Sequence, residues 1–503
     1  MAKGEKTSLT STGSISMAAE GGGGKKMMVM LQSEDGKQFL LSEADARNCG
    51  RTIHVMMMYD SEIHMVPSDD GREIRCCLVR LSVQGDTLSK VVDFSNKRGL
   101  DLTWDDGNFD LDPAAFFDLI LAADYLGHQG LLDQTCQTVA EKIHAMSPYE
   151  IRKKFNIRTD LNKNMSAVKP DLDQDKALTL AQNALKALHL VRCQRFTAYD
   201  PKRKAFVCTR FCSYNITFFD LDKESILVPG PPLDKLDGDI LTSSVQSAVN
   251  VISLKVTISD VGKKLDVFGT VIARDQVDYK CLFLFKRAEA DAQTISLPDG
   301  TLTLTDPCRG LVLSDEIIFE MDLKIKHDGH VEDFSRGMIS LERARLPADG
   351  QQTMTLGLNS WLSRVELTCA HVVHPVEAII GISILKGPCT LSRVTAWNVG
   401  NRDDCIILYD SEADDTQTVC NNCDGPVPLS RCLVAVPIDT KLVLHLIADD
   451  NTEQVFFTLA QSDDQHVCKM GLSEVQVKVS WRSIPKRKRY KLNVLGDECM
   501  LLH

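Results

Sequence analysis

The hydrophobic period changes once along this chain, near residue 196, and that change limits what it can fold into more than any single motif. From Phe196 to Trp481, apolar and polar residues alternate in runs such as VISLKVTI, LDVFGTVIA, EIIFEMDLKI, RVELTCAHVV, AIIGISIL, LVLHLIA and EVQVKVSW. A period of two puts every second side chain on the same face of a strand. Turns rich in Gly, Asp, Pro and Asn separate the runs, with no helical pattern between them. About a dozen short strands imply an all-β, sandwich-like domain over residues 195–482. The domain also repeats itself. CLFLFKR at Cys281 matches CIILYDS at Cys405, and RGLVLSDEIIFEMDLKI at Arg309 matches RCLVAVPIDTKLVLHLIA at Arg431, at offsets of 124 and 122 residues. Two similar β units are therefore expected, at 195–345 and 362–482, joined near 345–362.

Upstream of the switch, the clearest pattern is helical. Asp112-Pro113 is an N-cap followed by proline at the first helical position, and Phe116, Leu119, Ile120 and Ala123 then share a face until Gly127. A second helix opens near Gly130, with Leu132, Cys136, Val139, Ile143 and Met146 as a seam at alternating spacings of four and three. Ser147-Pro148-Tyr149-Glu150 is a capping box for a third, which offers Ile151 and Phe155. After a polar linker, Leu178, Ala181, Leu185 and Leu188 give residues 161–194 an amphipathic helix that bridges to the β region. At the other end, residues 1–26 are Ser/Thr/Gly-rich and are expected to be a disordered tail. From Met28, two apolar runs flank Ser33-Glu34-Asp35-Gly36, a hairpin signal. Caps at Ser42 and Thr52, a strand at Ile74–Leu81 and a helix at Gly85–Lys97 complete a β-β-α-α-β-α order.

The words FDLILAADYL, GLLDQTCQTVAEKI and SPYEIRKKFNI resemble the plant Skp1 family, the small adaptors of cullin-based ubiquitin ligases. LQSEDGKQF, GDTLSKVVDF and Trp104-Asp105 with Phe109 resemble the same family. The resemblance spans residues 28–160 and implies a multidomain chain. An α+β, BTB/POZ-like domain would occupy 27–110 and dimerisation-type helices 111–160, ahead of the all-β domain. It further implies a cullin contact at Asp124 and Tyr125, where the family commonly has Asn in place of Asp124. On the F-box side it implies Gly130, Leu131, Leu132, Cys136, Val139, Ile143, Pro148, Ile151 and Phe155, whose apolar members would form a groove for a partner helix. Two departures stand out. IRCCLVRLSV replaces a proline-containing segment, and the family's last, tryptophan-ending helix is missing after Ile157, where the 161–194 helix either takes its place or, having none of the family's words, serves only as the bridge. The β region resembles a domain of unassigned function that recurs in grass proteins, which supplies no activity.

The remaining chemistry is sparse. Cys420 and Cys423 have metal-ligand spacing, but one pair is half a zinc site, and free loop cysteines fit them better. Cys76-Cys77 reads as a strand pair with one thiol buried. Paired aspartates such as Asp403-Asp404 and Asp414-Asp415 fit turns. With no clustered Ser/His/Asp set and no phosphate loop, an enzyme is not expected, nor any cofactor or metal. A net charge of −12 argues against a nucleic-acid partner, and no run approaches the ~20 apolar residues of a membrane span. Seventeen cysteines without an apolar leader point to reduced thiols, hence nucleus and cytoplasm. The tail at 483–503 carries Lys486, Arg487, Lys488 and Arg489, a candidate nuclear localisation patch. The expected function is a SKP1-like adaptor bridging a cullin and F-box proteins, with the β domain recruiting a partner of its own. The alternative is a scaffold that has left the ubiquitin pathway, whose β domain binds a protein or ligand.

Overall fold

The computed structural model describes residues 27–59, 62–67, 73–97, 113–155, 157, 172–213, 215–226, 247–298, 300–327, 329–347, 352–387, 391–412, 425–448, 451–459 and 463–484. The N-terminal tail, Trp104, Asp105 and Phe109, the linker up to residue 171, Cys420 and Cys423, Asp414-Asp415 and the basic run Lys486–Arg489 lie outside the described residues. Two compact units are present. One holds the described residues up to Arg195 together with Cys212–Phe218, and the other holds Phe196–Phe211 and the described residues from Phe219 on.

The first unit is α+β. Strands β1 (Met28–Gln32) and β2 (Gln38–Ser42) form the expected hairpin. Gly36 takes φ +85° at its turn, a left-handed conformation that glycine adopts without a Cβ clash. Helices α1 (Glu43–Asn48) and α2 (Arg51–Tyr59) follow, with Ser42 Oγ accepting the Asp45 N–H as an N-cap. Then come β3 (Glu62–Pro67), β4 (Glu73–Arg80) and α3 (Gly85–Lys97). The sheet order is β2-β1-β4-β3, with β4 parallel to β1. Strand β3 is an addition to the expected order. Its sequence, EIHMVP, alternates only over four residues, and as an edge strand it leaves both phases exposed, Ile63 and Met65 included. Val29, Leu31, Cys77 and Val79 face the helices, while Met30, Cys76 and Leu78 form a small cluster of their own. Both Cys76 and Cys77 are therefore buried, where one was expected. The unit continues with α4 (Pro113–Leu126), α5 (Gln129–Ile143), α6 (Pro148–Lys154) and α7 (Leu172–Phe196).

The second unit is all β apart from one-turn 3-10 helices among its described residues. It starts with a hairpin, β5 (Thr197–Asp200) and β6 (Ala205–Cys208). A first sandwich follows: β7 (Ser247–Ser259), β8 (Lys264–Asp275), β9 (Leu282–Arg287), β10 (Gln293–Ser296), β11 (Gly300–Leu302), β12 (Leu311–Leu313), β13 (Glu316–His327), β14 (His330–Glu342), β15 (Thr353–Ser360) and β16 (Ser363–Val373). A second holds β17 (Pro375–Lys386), β18 (Leu391–Asn398), β19 (Ile406–Asp410), β20 (Gly425–Pro426), β21 (Leu433–Pro437), β22 (Lys441–Ala448), β23 (Asn451–Thr458), β24 (Asp464–Met470) and β25 (Ser473–Ser483). That makes nineteen strands from β7 on among the described residues, more than the dozen expected. The shortest, β10, β11, β12 and β20, have too few residues to display a period.

The duplication is visible strand by strand. In the first sandwich β8 pairs with β9 and β13, and β13 with β14; in the second β18 pairs with β19 and β22, and β22 with β23. Likewise β7 pairs with β11, β12 and β16, and β16 with β15, just as β17 pairs with β20, β21 and β25, and β25 with β24. Among the described residues, only β10 lacks a counterpart. Because β15 and β16 pair into the β7 sheet, the repeats meet at His374, in a left-handed conformation (φ +47°), rather than near 345–362. Each sandwich buries its own core. Phe285, Phe319 and Phe334 anchor the first, and Phe457 and Trp481 the second. Each such side chain contributes about 1.5–3 kcal/mol on burial.

Candidate partner-binding helices

The helices flagged from the sequence are α4 to α6, and local chemistry sets their ends. Helix α4 stops in a Schellman motif. The His128 N–H donates to the Ala123 carbonyl and the Gly127 N–H to the Asp124 carbonyl, with Gly127 at φ +66°. His128 then caps α5. Its Nδ1 accepts the Leu131 N–H at 3.3 Å. Ser95 Oγ already donates to the Val91 carbonyl, so His128 Nε2–H donates to Ser95 Oγ at 3.2 Å. Burial holds the His128 pKa below the ordinary histidine value, which keeps the accepting nitrogen free of a proton. At α6 the capping box is complete: Glu150 accepts the Ser147 N–H at 2.8 Å and Ser147 Oγ accepts the Glu150 N–H at 3.4 Å. Gly50, at φ +146°, lets the α1–α2 junction approach α4, since a Cβ there would sit 2.3 Å from the Leu126 carbonyl oxygen.

The residues assigned to the cullin side lie at the surface. Asp124 and Tyr125 are exposed at the end of a helix half of whose residues are buried, Tyr125 at 40%. Neighbouring protein partly desolvates the Asp124 carboxyl and raises its pKa. Thr52 Oγ1 donates to the Tyr125 carbonyl at 2.8 Å, which fixes the backbone beneath the ring.

The residues assigned to the F-box side behave differently. Gly130 is exposed and Pro148 half-buried. Leu131, Leu132, Cys136, Val139, Ile143 and Ile151 are all buried, and Phe155 packs edge-on against Phe117 with ring centres 5.0 Å apart. Burial, with Asp133 and Asp124 nearby, pushes the Cys136 thiol up to about 12, so it is an apolar filler rather than a nucleophile. They share one core with Ala184, Leu185, Ala187, Leu188 and Val191 of α7. The α7 helix therefore packs into the first unit, as a substitute for the missing helix would, where the sequence favoured a bridge. Asn183 Nδ2 donates to Asp118 on α4 at 3.1 Å and Gln194 Nε2 to Asp133 on α5 at 2.6 Å. The segment Cys212–Phe218 joins them, unflagged in the sequence. Buried Asn215 donates to the Leu185 carbonyl at 2.8 Å, Arg152 of α6 donates to the Thr217 carbonyl, and the Arg152 guanidinium lies 5.8 Å from the Phe218 ring centre. The words TRFCSYNI gave no period that would have revealed this. A mostly apolar cleft of about 380 Å³ remains between α5 and α7, lined by Cys136, Ala140, His144, Val191 and Arg195 among others.

Comparison with known proteins follows the same division. Residues 129–166 match the Skp1 family, dimerisation domain, and residues 248–479 match a Domain of unknown function (DUF6598). SKP1-like protein 1 of Oryza sativa subsp. japonica is 37% identical over 171 residues, covering 29% of this chain and 90% of that one. SKP1-like protein 11 of Arabidopsis thaliana is 35% identical over 146 residues, covering 26% and 86%. Among solved structures, the C2A- and C2B-domains of Extended-Synaptotagmin 2 cover 54% of this chain at 6% identity, with a TM-score of 0.18 that assigns no fold.

Proposed function

The chain belongs to the SKP1-like family, and on that premise we propose that it is a non-enzymatic adaptor subunit of a cullin-based ubiquitin ligase with a β-rich recruiting module attached. Family membership implies cullin and F-box partners in general. The observation that carries the cullin half is the exposure of Asp124 and Tyr125 at the end of a helix whose other apolar residues Phe116, Phe117, Leu119, Ile120 and Leu126 are buried. A half-exposed aromatic on a rigid helix end is the kind of anchor that interfaces use. The second unit brings its own surface and binds a partner of its own. Ubiquitin transfer falls to other subunits, and the chain works in nucleus and cytoplasm. The test is a pull-down of the full chain with a plant cullin, beside rice SKP1-like protein 1 and the Tyr125→Ala variant. The proposal expects recovery of wild type and loss with Tyr125→Ala. A wild-type chain that recovers no cullin where the rice protein does would sink it.

A scaffold outside the ubiquitin pathway is the second reading. The observation behind it is the carboxylate of Asp124, which puts a negative charge on the surface assigned to the cullin. A stable homodimer in solution that excludes cullin would favour it.

A further inference from the structure

The face assigned to an F-box partner is covered by later parts of the same chain. Leu132, Cys136, Val139, Ile143 and Ile151 lie in one core with Leu185, Leu188 and Val191 of α7. Polar contacts tie the covering segments down: Asn183 to Asp118 on α4, Gln194 to Asp133 on α5, and Arg152 of α6 to the Thr217 carbonyl. Asn215, fully buried, links the two covering segments through the Leu185 carbonyl, and its own Oδ1 accepts the Thr217 N–H at 3.0 Å. The Asn215 amide and the Thr217 carbonyl hold the segment to α7 and α6, and its apolar residues Ile216 and Phe218 pack against the same core. A helix, a short segment and their hydrogen bonds together fill what an incoming amphipathic helix would need.

We infer that α7 and Cys212–Phe218 occupy in cis the face that would otherwise take an F-box helix, so the full chain binds a separate F-box protein only when they are displaced. The inference rests on the adaptor reading for the identity of that face. Its consequence is a single-chain arrangement in which the adaptor carries the β unit as a built-in receptor. If the uncovered form is a minor population, the apparent affinity for an F-box falls by that fraction.

The test titrates one purified F-box domain, chosen because rice SKP1-like protein 1 binds it, into three proteins: the rice protein, the full chain, and the full chain carrying Asn183→Ala with Asn215→Ala. Circular dichroism checks that the variant folds. Cis occupancy predicts wild-type binding at least about tenfold weaker than the rice protein, with the double variant recovering part of the difference. Hydrogen exchange on the wild type at saturating F-box domain decides the matter even if the variant unfolds. Exchange in 172–196 and 212–218 should rise as those segments are displaced. Wild-type affinity equal to the rice protein's overturns the inference. So does F-box binding with α7 exchange unchanged, or failure of both wild type and folded variant to bind. A parallel cullin titration separates the two ideas. Cullin bound while the F-box results fail leaves the adaptor reading standing and removes only cis occupancy; cullin lost as well removes the adaptor reading.

Discussion

Glu320 shares its phase on β13 with Asp322 and Lys324, opposite Phe319, Met321 and Leu323. In the structure it is buried. Arg274 reaches it through two nitrogens, at 2.6 and 3.1 Å, and Arg210 and the Phe211 N–H add further bonds. Burial pushes its pKa up, but Arg274 and Arg210 outweigh it and hold the carboxyl below the ordinary value. Its partners lie 46 to 110 positions earlier, so no local pattern could announce them. The second sandwich shows the alternative solution. The paired positions there are Trp397 and His445, whose rings meet edge-on at 6.0 Å. Leaving Arg274 without its partner is costly, so Glu320→Gln should destabilise the β unit by about 3–5 kcal/mol in a urea melt. Glu377 is the opposite case. Burial raises its pKa to about 7 against an ordinary 4.5, with only the Gly310 N–H at 3.1 Å and the more distant Arg309 opposing. The native state then holds a proton that the unfolded chain has released, so stability is full below pH 4.5 and falls as pH rises towards 7. Thermal melts from pH 4.5 to 7.5 should show that decline, and Glu377→Gln should flatten it.

Helix ends were the most legible elements, because caps are written in consecutive residues. The Ser147–Glu150 box and the Gly127 stop stand where the sequence put them. Ser147→Ala should cost about 1 kcal/mol, read by chemical denaturation. His128 as the cap of α5 could not be foreseen, since its role needs Ser95 and Leu131 together. Its depressed pKa gives a signed expectation. The cap is intact above pH 6.5 and is lost as pH falls through the folded value, because a protonated Nδ1 cannot accept the Leu131 N–H. Amide exchange at Leu131, corrected for its intrinsic pH dependence, should lose protection towards acid pH, and His128→Asn should retain it. The destination of α7 stayed open between a bridge and a substitute for the missing helix, for a different reason. Amphipathic spacing tells that a face is buried, but not against which element. Leu188→Ala should therefore destabilise the first unit by about 2–5 kcal/mol, not merely loosen a linker, and a melt of the first unit would register it.

At the scale of the whole molecule, the switch of period near residue 196 located the α+β and all-β parts, and the matched words announced the repeat. The repeat boundary was missed because the β15–β16 hairpin returns to pair with β7, and such long-range pairing leaves no local mark. The two sandwiches are joined by more than chain. Asn250 exchanges hydrogen bonds with the Ala435 backbone at 2.8 and 2.9 Å, and Asp306 accepts the Leu433 N–H at 2.8 Å. On the adaptor reading proposed above, the first unit presents Tyr125 and the added charge of Asp124 to a cullin. Isothermal titration of a plant cullin into the full chain, with Tyr125→Ala and Asp124→Asn alongside, tests it most directly. The account predicts measurable binding by wild type, at least tenfold weaker binding by Tyr125→Ala (about 1.4 kcal/mol) and tighter binding by Asp124→Asn. Wild type silent while rice SKP1-like protein 1 binds, or all three forms binding alike, would contradict it.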